Sequence, residues 1–90
     1  MIEPRHKPVF PGFKEMAERR QVLADELVGR RRVLGLSQTE VAARMGTSQS
    51  AVARLESGDA DVKLSTIERY VSALGTRIEW QLGEPDEHPR

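Results

Sequence analysis

Residues 37–58, SQTEVAARMGTSQSAVARLESG, decide the fold of this chain. Ser37 is a favourable N-cap, and Glu40 three residues later completes a capping box at the start of a short helix. Gly46 ends that helix, and a second short helix follows and ends before Gly58. Two short helices joined by a tight glycine turn are the arrangement that carries a helix into the DNA major groove.

The hydrophobic pattern on either side of this pair predicts two more helices. Apolar residues recur at helical spacing over residues 14–34, and Gly35 ends that helix. Ser65 is expected to cap a fourth helix, with Glu68 in the capping-box position and Gly75 at its end. The residues expected to face the core are Met16, Leu23, Ala24, Leu27, Val28, Leu34, Val41, Ala42, Met45, Val52, Leu55, Ile67, Tyr70, Val71 and Leu74.

The first thirteen residues have a different composition from the helical part. Three prolines and a glycine in residues 1–13 predict an irregular leader, which precedes a helical domain over residues 14–75. The leader also contains Val9, Phe10 and Phe13, which a purely disordered segment seldom has. We therefore expect these three residues to fold back onto the domain or to contact another protein.

Residues 76–83 change from the helical period to strict alternation. Ile78, Trp80 and Leu82 would share one face of a β-strand, with polar residues between them. A lone strand cannot satisfy its own backbone groups, so the simplest partner is the same strand of a second copy across a dimer axis. The alternative is a short helical turn that packs Trp80 into the chain's own core. Residues 84–90 are expected to be a flexible tail.

The composition limits the function classes that fit. Ninety residues make one small domain, and with no cysteine the chain has neither disulfides nor thiolate metal sites. The start lacks the apolar run of a signal peptide, so we expect a cytoplasmic protein. The net charge is zero, but residues 30–54 carry five arginines against one glutamate, whereas residues 55–90 carry eight acids against four basic residues. A basic centre and an acidic end indicate two surfaces for two kinds of partner.

The second helix of the pair has the side chains that DNA reading requires. Short or amide-bearing residues at its beginning let the backbone approach base edges, and an arginine further along can reach guanine. The predicted base-reading residues are Gln49, Ser50, Arg54 and Ser48. The predicted phosphate-positioning residues are Gln38, Thr39, Thr47 and Ser57, although Thr39 and Ser57 taken singly could merely be solvated.

Residues 35–58, followed by Ala-Leu-Gly at 73–75, resemble the XRE (Cro-type) family of helix-turn-helix proteins. The resemblance implies a mainly α, lambda-repressor-like bundle of about four helices, with Gln38 on phosphate and the base-reading residues in the groove. It also implies that Arg31 pairs with Glu56. This chain departs from the family at Asp59, Ala60 and Asp61, where phage repressors have a basic loop, so we expect weaker binding to the DNA backbone.

Residues 65–82 resemble the end of HigA-type antitoxins. That resemblance implies a DNA-binding protein that neutralises a RelE-like ribonuclease toxin and represses its own operon, with palindromic double-stranded DNA, the toxin and a second copy as partners. The alternatives are a free-standing transcriptional regulator without a toxin and an interaction module that has lost DNA binding. We expect neither an enzyme nor a cofactor, because the two histidines, His6 and His88, lie at opposite ends and no catalytic or metal-binding set is evident.

Overall fold

The computed structural model describes residues 12–83, which form four helices joined by short loops. The helices are α1 (Phe13–Val33), α2 (Gln38–Met45), α3 (Gln49–Glu56) and α4 (Leu64–Ala73). The prediction of a mainly helical chain with four helices is confirmed for this part of the chain. No helix within it is long and apolar enough to cross a membrane. The predictions for Val9, Phe10 and residues 84–90 lie outside the described residues.

Local side-chain chemistry sets the boundaries of α2 and α3. The Ser37 hydroxyl accepts from the backbone N–H of Glu40 at 3.0 Å, and the Glu40 carboxylate accepts from the backbone N–H of Ser37 at 2.7 Å, which completes the capping box. Gly46 ends α2 at a φ of +71°, a conformation that costs any residue with a Cβ. The Ser48 hydroxyl then caps α3 by accepting from the backbone N–H of Ala51.

The predicted cap of α4 is wrong. The helix begins at Leu64 and its N-cap is Lys63, which makes no side-chain capping bond. The backbone N–H of Ile67 donates to the Lys63 carbonyl at 3.2 Å, so Ser65 already lies within the first turn and Glu68 is in no capping box. The burial of the apolar face of α4 fixes where the helix runs, and this packing outweighs the capping preference of one serine.

A single hydrophobic core holds the four helices together. Its buried members are Leu27, Val41, Ala42, Met45, Val52, Leu55, Tyr70, Val71 and Leu74. Met16 and Leu34 were expected there, but they are 43% and 52% exposed. Both lie near the ends of α1, which has 21 residues, whereas α2, α3 and α4 have only 8 to 10 and cover its middle.

Residues 76–83 have no regular secondary structure in the single chain. No strand is present among residues 12–83, so the predicted strand and its pairing across a dimer remain predictions. Ile78 packs against the core, whereas Trp80 is 55% exposed and Leu82 is 96% exposed. The alternative of a helical turn that buries Trp80 in the core is therefore wrong.

Candidate nucleic-acid interface

The outer face of α3 presents the predicted base-reading residues together. Ser48, Gln49, Ser50 and Arg54 are all exposed, and Val52 and Leu55 anchor the opposite side of the helix in the core. Ala51 and Ala53, which are half-buried, add little bulk between the two sides. The helix thus offers an exposed polar face with small residues beside it, which is the shape that a major groove can admit.

Ser48 has a structural task besides any contact with DNA. Its hydroxyl caps α3, and it also shares a hydrogen bond of 3.1 Å with the Ser50 hydroxyl. Losing an N-cap hydroxyl costs about 1 kcal/mol of stability. Ser50 is therefore the better placed of the two serines to contact a base, because its hydroxyl caps nothing.

Gln49 is tied to the protein interior through Gln38. The Gln49 Nε2 donates to Gln38 Oε1 at 2.5 Å, and the Gln38 Nε2 donates to Glu56 Oε1 at 2.8 Å. An amide nitrogen carries two hydrogens, so each glutamine keeps one N–H for DNA. Gln49 also keeps its carbonyl oxygen, which is what bidentate pairing with adenine requires, and Gln38 keeps a donor for a phosphate.

The Glu56 carboxylate at the end of this chain of hydrogen bonds is buried. Arg31 donates to it twice, from Nε to Oε2 at 2.6 Å and from Nη2 to Oε1 at 3.0 Å, so the pair implied by the resemblance is present in bidentate form. The Tyr70 hydroxyl donates to Oε2 at 2.6 Å. Arg31 also donates from Nη1 to the Leu36 carbonyl, which attaches α1 to the loop before α2.

The ionisation of this cluster follows from its hydrogen bonds. Burial alone would raise the pKa of Glu56, but hydrogen bonds from Arg31, Tyr70 and Gln38 outweigh burial and lower it. The hydrogen bond to Glu56 raises the pKa of Arg31, and burial is the main cause that raises the pKa of Tyr70. The cluster therefore holds one carboxylate, one guanidinium and one neutral phenol at neutral pH.

Arg54 is held by the loop that follows α3. Its Nε lies 3.0 Å and its Nη2 lies 2.9 Å from the same oxygen, Oδ2 of Asp59. The sequence interpretation took Asp59 only as a charge that weakens DNA binding and missed this contact. The signal was present in the spacing, because a residue just past the end of a helix can reach back to the last turn.

The predicted phosphate-positioning residues differ in how well they suit that role. Thr39 is exposed, and Thr47 is half-buried at the edge of α3. The Ser57 hydroxyl donates to the Arg54 carbonyl at 2.7 Å, so its hydrogen is already used within the protein. Ser57 can donate to a phosphate only if that bond breaks.

A groove beside α3 contains basic residues that the sequence interpretation did not single out. Lys63, Thr66 and Arg69 line it together with Thr47 and Arg54. Asp61 and Val62 also line it, so the groove is not uniformly basic. Its hydroxyls and cations are groups that bind phosphate oxygens. In the sequence these residues are far from the basic centre, and only the fold brings them next to α3.

Comparison with known proteins places this chain in a family. The family model described as "Helix-turn-helix" matches residues 30–81. The chain is 44% identical over 78 residues to "Antitoxin HigA1" of Mycobacterium tuberculosis, in strains CDC 1551 / Oshkosh and ATCC 25618 / H37Rv, which covers 87% of this chain and 52% of HigA1. "Putative antitoxin HigA3" of the H37Rv strain is 48% identical to the chain over 67 residues, which covers 70% of this chain and 62% of HigA3. The chain thus spans about half the length of HigA1, and both predicted resemblances are confirmed.

The buried pair gives a stability prediction. We expect Arg31→Met to lower the free energy of unfolding by about 3–5 kcal/mol, because it leaves the Glu56 carboxylate buried without a cation. The double variant Arg31→Met/Glu56→Leu should lose less than the sum of the two single variants. Urea denaturation followed by circular dichroism measures all three.

The matched control for this cycle is Arg32→Met, on the next, exposed residue of α1. It should change the free energy of unfolding by no more than about 0.5 kcal/mol. Strictly additive effects of Arg31→Met and Glu56→Leu would show that the two side chains are not energetically coupled.

Proposed function

We infer the function of this chain from the premise that it belongs to the helix-turn-helix family. We propose that it is an antitoxin that binds a palindromic operator as a homodimer, represses its own operon and neutralises a RelE-like ribonuclease toxin. The observation that carries the DNA-binding part is the exposed face of α3, on which Gln49 is anchored through Gln38 to a buried carboxylate. The family is one of DNA-binding domains, which agrees with the expectation that the chain is not an enzyme.

The reading of DNA divides among a few side chains. Gln49 pairs with an adenine, Arg54 with a guanine, and Ser50, with help from Ser48, contacts a neighbouring base edge. Gln38, Thr39 and Thr47 place the protein on phosphates, and Ser57 contributes only if its hydroxyl leaves the Arg54 carbonyl. Both proposed partners, the operator and a toxin that acts on messenger RNA at the ribosome, place this activity in the cytoplasm.

Dimerisation is supported by the state of residues 76–83. In the described part of the chain, no backbone–backbone hydrogen bond involves residues 77–83. Trp80 and Leu82 are mostly exposed, although both are large and apolar. Antiparallel pairing with a second copy satisfies the backbone groups and buries these two side chains at once. Two α3 helices would then reach half-sites about one helical turn apart.

The antitoxin role is supported by similarity to relatives that carry that name, which extends over 87% of this chain. The acidic end of the chain is a weaker candidate for the toxin contact than its charge suggests, because Glu56 is buried and Asp59 is paired with Arg54. Phe13 and Met16, one turn apart on α1, are 51% and 43% exposed. We propose that they form the toxin contact together with Val9 and Phe10.

The contact between Arg54 and Asp59 favours one other candidate, an interaction module that has lost DNA binding. In that case Asp59 would simply neutralise a former reading residue. A free-standing regulator without a toxin is the remaining alternative, and it differs from the proposal only in the partner protein.

The DNA-binding proposal is tested with the protein's own promoter. We expect the double variant Gln49→Ala/Arg54→Ala to lose sequence-specific binding, because each base contact contributes about 1–3 kcal/mol. Fluorescence anisotropy on the promoter and on a scrambled duplex of equal length measures the loss. The control variant Arg19→Ala/Gln21→Ala removes the same residue types from the exposed surface of α1 and should bind as the wild type does. Unchanged affinity of the α3 variant would refute our assignment of the reading face.

The dimer proposal is tested by sedimentation. We expect Trp80→Ser/Leu82→Ser to shift the protein from dimer to monomer, because it removes the apolar face of the paired strands and leaves Ile78 in the core. Val33→Ser, which changes an 87% exposed apolar residue on α1, should leave the dimer intact. A Trp80/Leu82 variant that stays dimeric would place the interface elsewhere.

The toxin proposal is tested by co-purification with the product of the adjacent reading frame. We expect the two proteins to elute together, and Phe13→Ser/Met16→Ser to reduce the recovered partner by removing exposed apolar contacts. Val22→Ser, at a residue of α1 that is 65% exposed, serves as the control. If wild type recovers no adjacent product yet binds its promoter, the free-standing regulator is the correct function.

A further inference from the structure

The carboxylate of Asp59, which contacts Arg54, also accepts a hydrogen bond from the backbone of its own loop. Its Oδ1 accepts from the backbone N–H of Asp61 at 2.8 Å, so only Oδ2 faces the guanidinium. The hydrogen bond from Asp61 and the hydrogen bond from Arg54 both lower the pKa of Asp59. The side chain of Asp59 is 28% exposed, whereas that of Arg54 is 61% exposed. A partly sheltered carboxylate on a fixed turn thus contacts a side chain that projects into solvent.

The contact uses only one side of the guanidinium. A guanidinium offers five N–H donors in a planar fork. Asp59 Oδ2 accepts a hydrogen bond from Nε, and Nη2 lies 2.9 Å from the same oxygen in the ion pair. This contact uses neither hydrogen of Nη1, nor the hydrogen of Nη2 that points away from Nε. Those two nitrogens form the end of the fork, where two parallel donors match the O6 and N7 acceptors of guanine.

We propose that Asp59 is a positioning residue that determines specificity: it holds the guanidinium of Arg54 so that the Nη1 and Nη2 end meets a guanine. This inference rests on the proposed DNA binding and on Arg54 as a base-reading residue. Arg54 would otherwise have to lose the rotamer freedom of a long side chain when it binds DNA. The contact with Asp59 restricts that freedom in the free protein.

Asp59 has a second effect with the opposite sign on affinity. Its negative charge lies beside α3 and repels phosphates, so it weakens binding to any duplex regardless of sequence. Sequence-independent binding decreases while the guanine contact improves. The repulsion lowers operator affinity and non-specific affinity alike, so it leaves their ratio unchanged, whereas the improved guanine contact raises the ratio. The two effects can be separated because only the guanine contact depends on Arg54.

The test compares Asp59→Ala with Asp61→Ala. Both variants remove one carboxylate from the same loop, and Asp61 touches Asp59 through its backbone N–H, not its side chain. Anisotropy is measured on the promoter, on a scrambled duplex, and on promoters with single guanines replaced. The guanine that Arg54 reads is identified as the one whose replacement weakens binding by wild type but does not weaken binding by Arg54→Ala.

We expect both aspartate variants to bind the scrambled duplex more tightly than wild type, by similar factors. Only Asp59→Ala should lose discrimination at the guanine read by Arg54, by about threefold to tenfold, since ordering a long side chain costs roughly that much. In the Arg54→Ala background, Asp59→Ala should change discrimination no further. A merely structural role for Asp59 would lower discrimination equally in both backgrounds.

Two results would overturn the inference. If Asp59→Ala and Asp61→Ala discriminate equally at the guanine read by Arg54, Asp59 does not position Arg54. If Asp59→Ala discriminates better than wild type at that guanine, Asp59 competes with DNA for Arg54 instead. The proposed function survives both results as long as wild type prefers its promoter and Arg54→Ala loses that preference. If wild type shows no preference for the promoter, both the proposed function and this inference fail.

Discussion

The carboxylate of Glu56 is the point at which all four helices meet. It belongs to α3 and accepts from Arg31 on α1, from Gln38 on α2 and from Tyr70 on α4. A carboxylate has about four acceptor positions, and four donors fill them here. An ion buried in this way is costly to remove from water, so it is stable only when every partner is in place. The orientation of α3 within the bundle therefore depends on this group as well as on the burial of Val52 and Leu55.

The same carboxylate also reaches the surface. Through Gln38 it fixes the amide of Gln49 at the beginning of α3, while Asp59 fixes Arg54 near the end of the same helix. In the proposed function, these contacts at both ends of the reading face would reduce the entropy lost on binding DNA. The two anchors differ in strength, because Glu56 is buried whereas the pair of Arg54 with Asp59 is largely exposed and is screened by salt.

The sequence predicted what local chemistry determines and missed what the fold alone brings together. A few adjacent residues determine the capping box of Ser37 and Glu40 and the turn at Gly46, and the structure has both. Ser65 satisfied the same local rule, yet packing set the start of α4 elsewhere. Tyr70 was placed in the core correctly, but its hydroxyl could be assigned to Glu56 only once α3 and α4 were in position. The pairing of residues 76–83 cannot follow from one chain, since it needs a second copy.

The loop after α3 bears most directly on the choice between a DNA-binding protein and a module that has lost that activity. Asp59 contacts only the Nε and Nη2 edge of the Arg54 guanidinium, so this contact leaves the Nη1 and Nη2 end uncovered. Asp59 offsets the charge of Arg54, and Lys63 and Arg69 line the neighbouring groove, where Arg69 also donates to the Met45 carbonyl. A single domain whose reading arginine is partly neutralised in this way would bind a duplex less tightly. When two copies are joined in a dimer, the second α3 helix binds DNA with little further entropic cost. In the proposed function the exposed Trp80 and Leu82 join the two copies, so they matter for DNA affinity as well as for assembly.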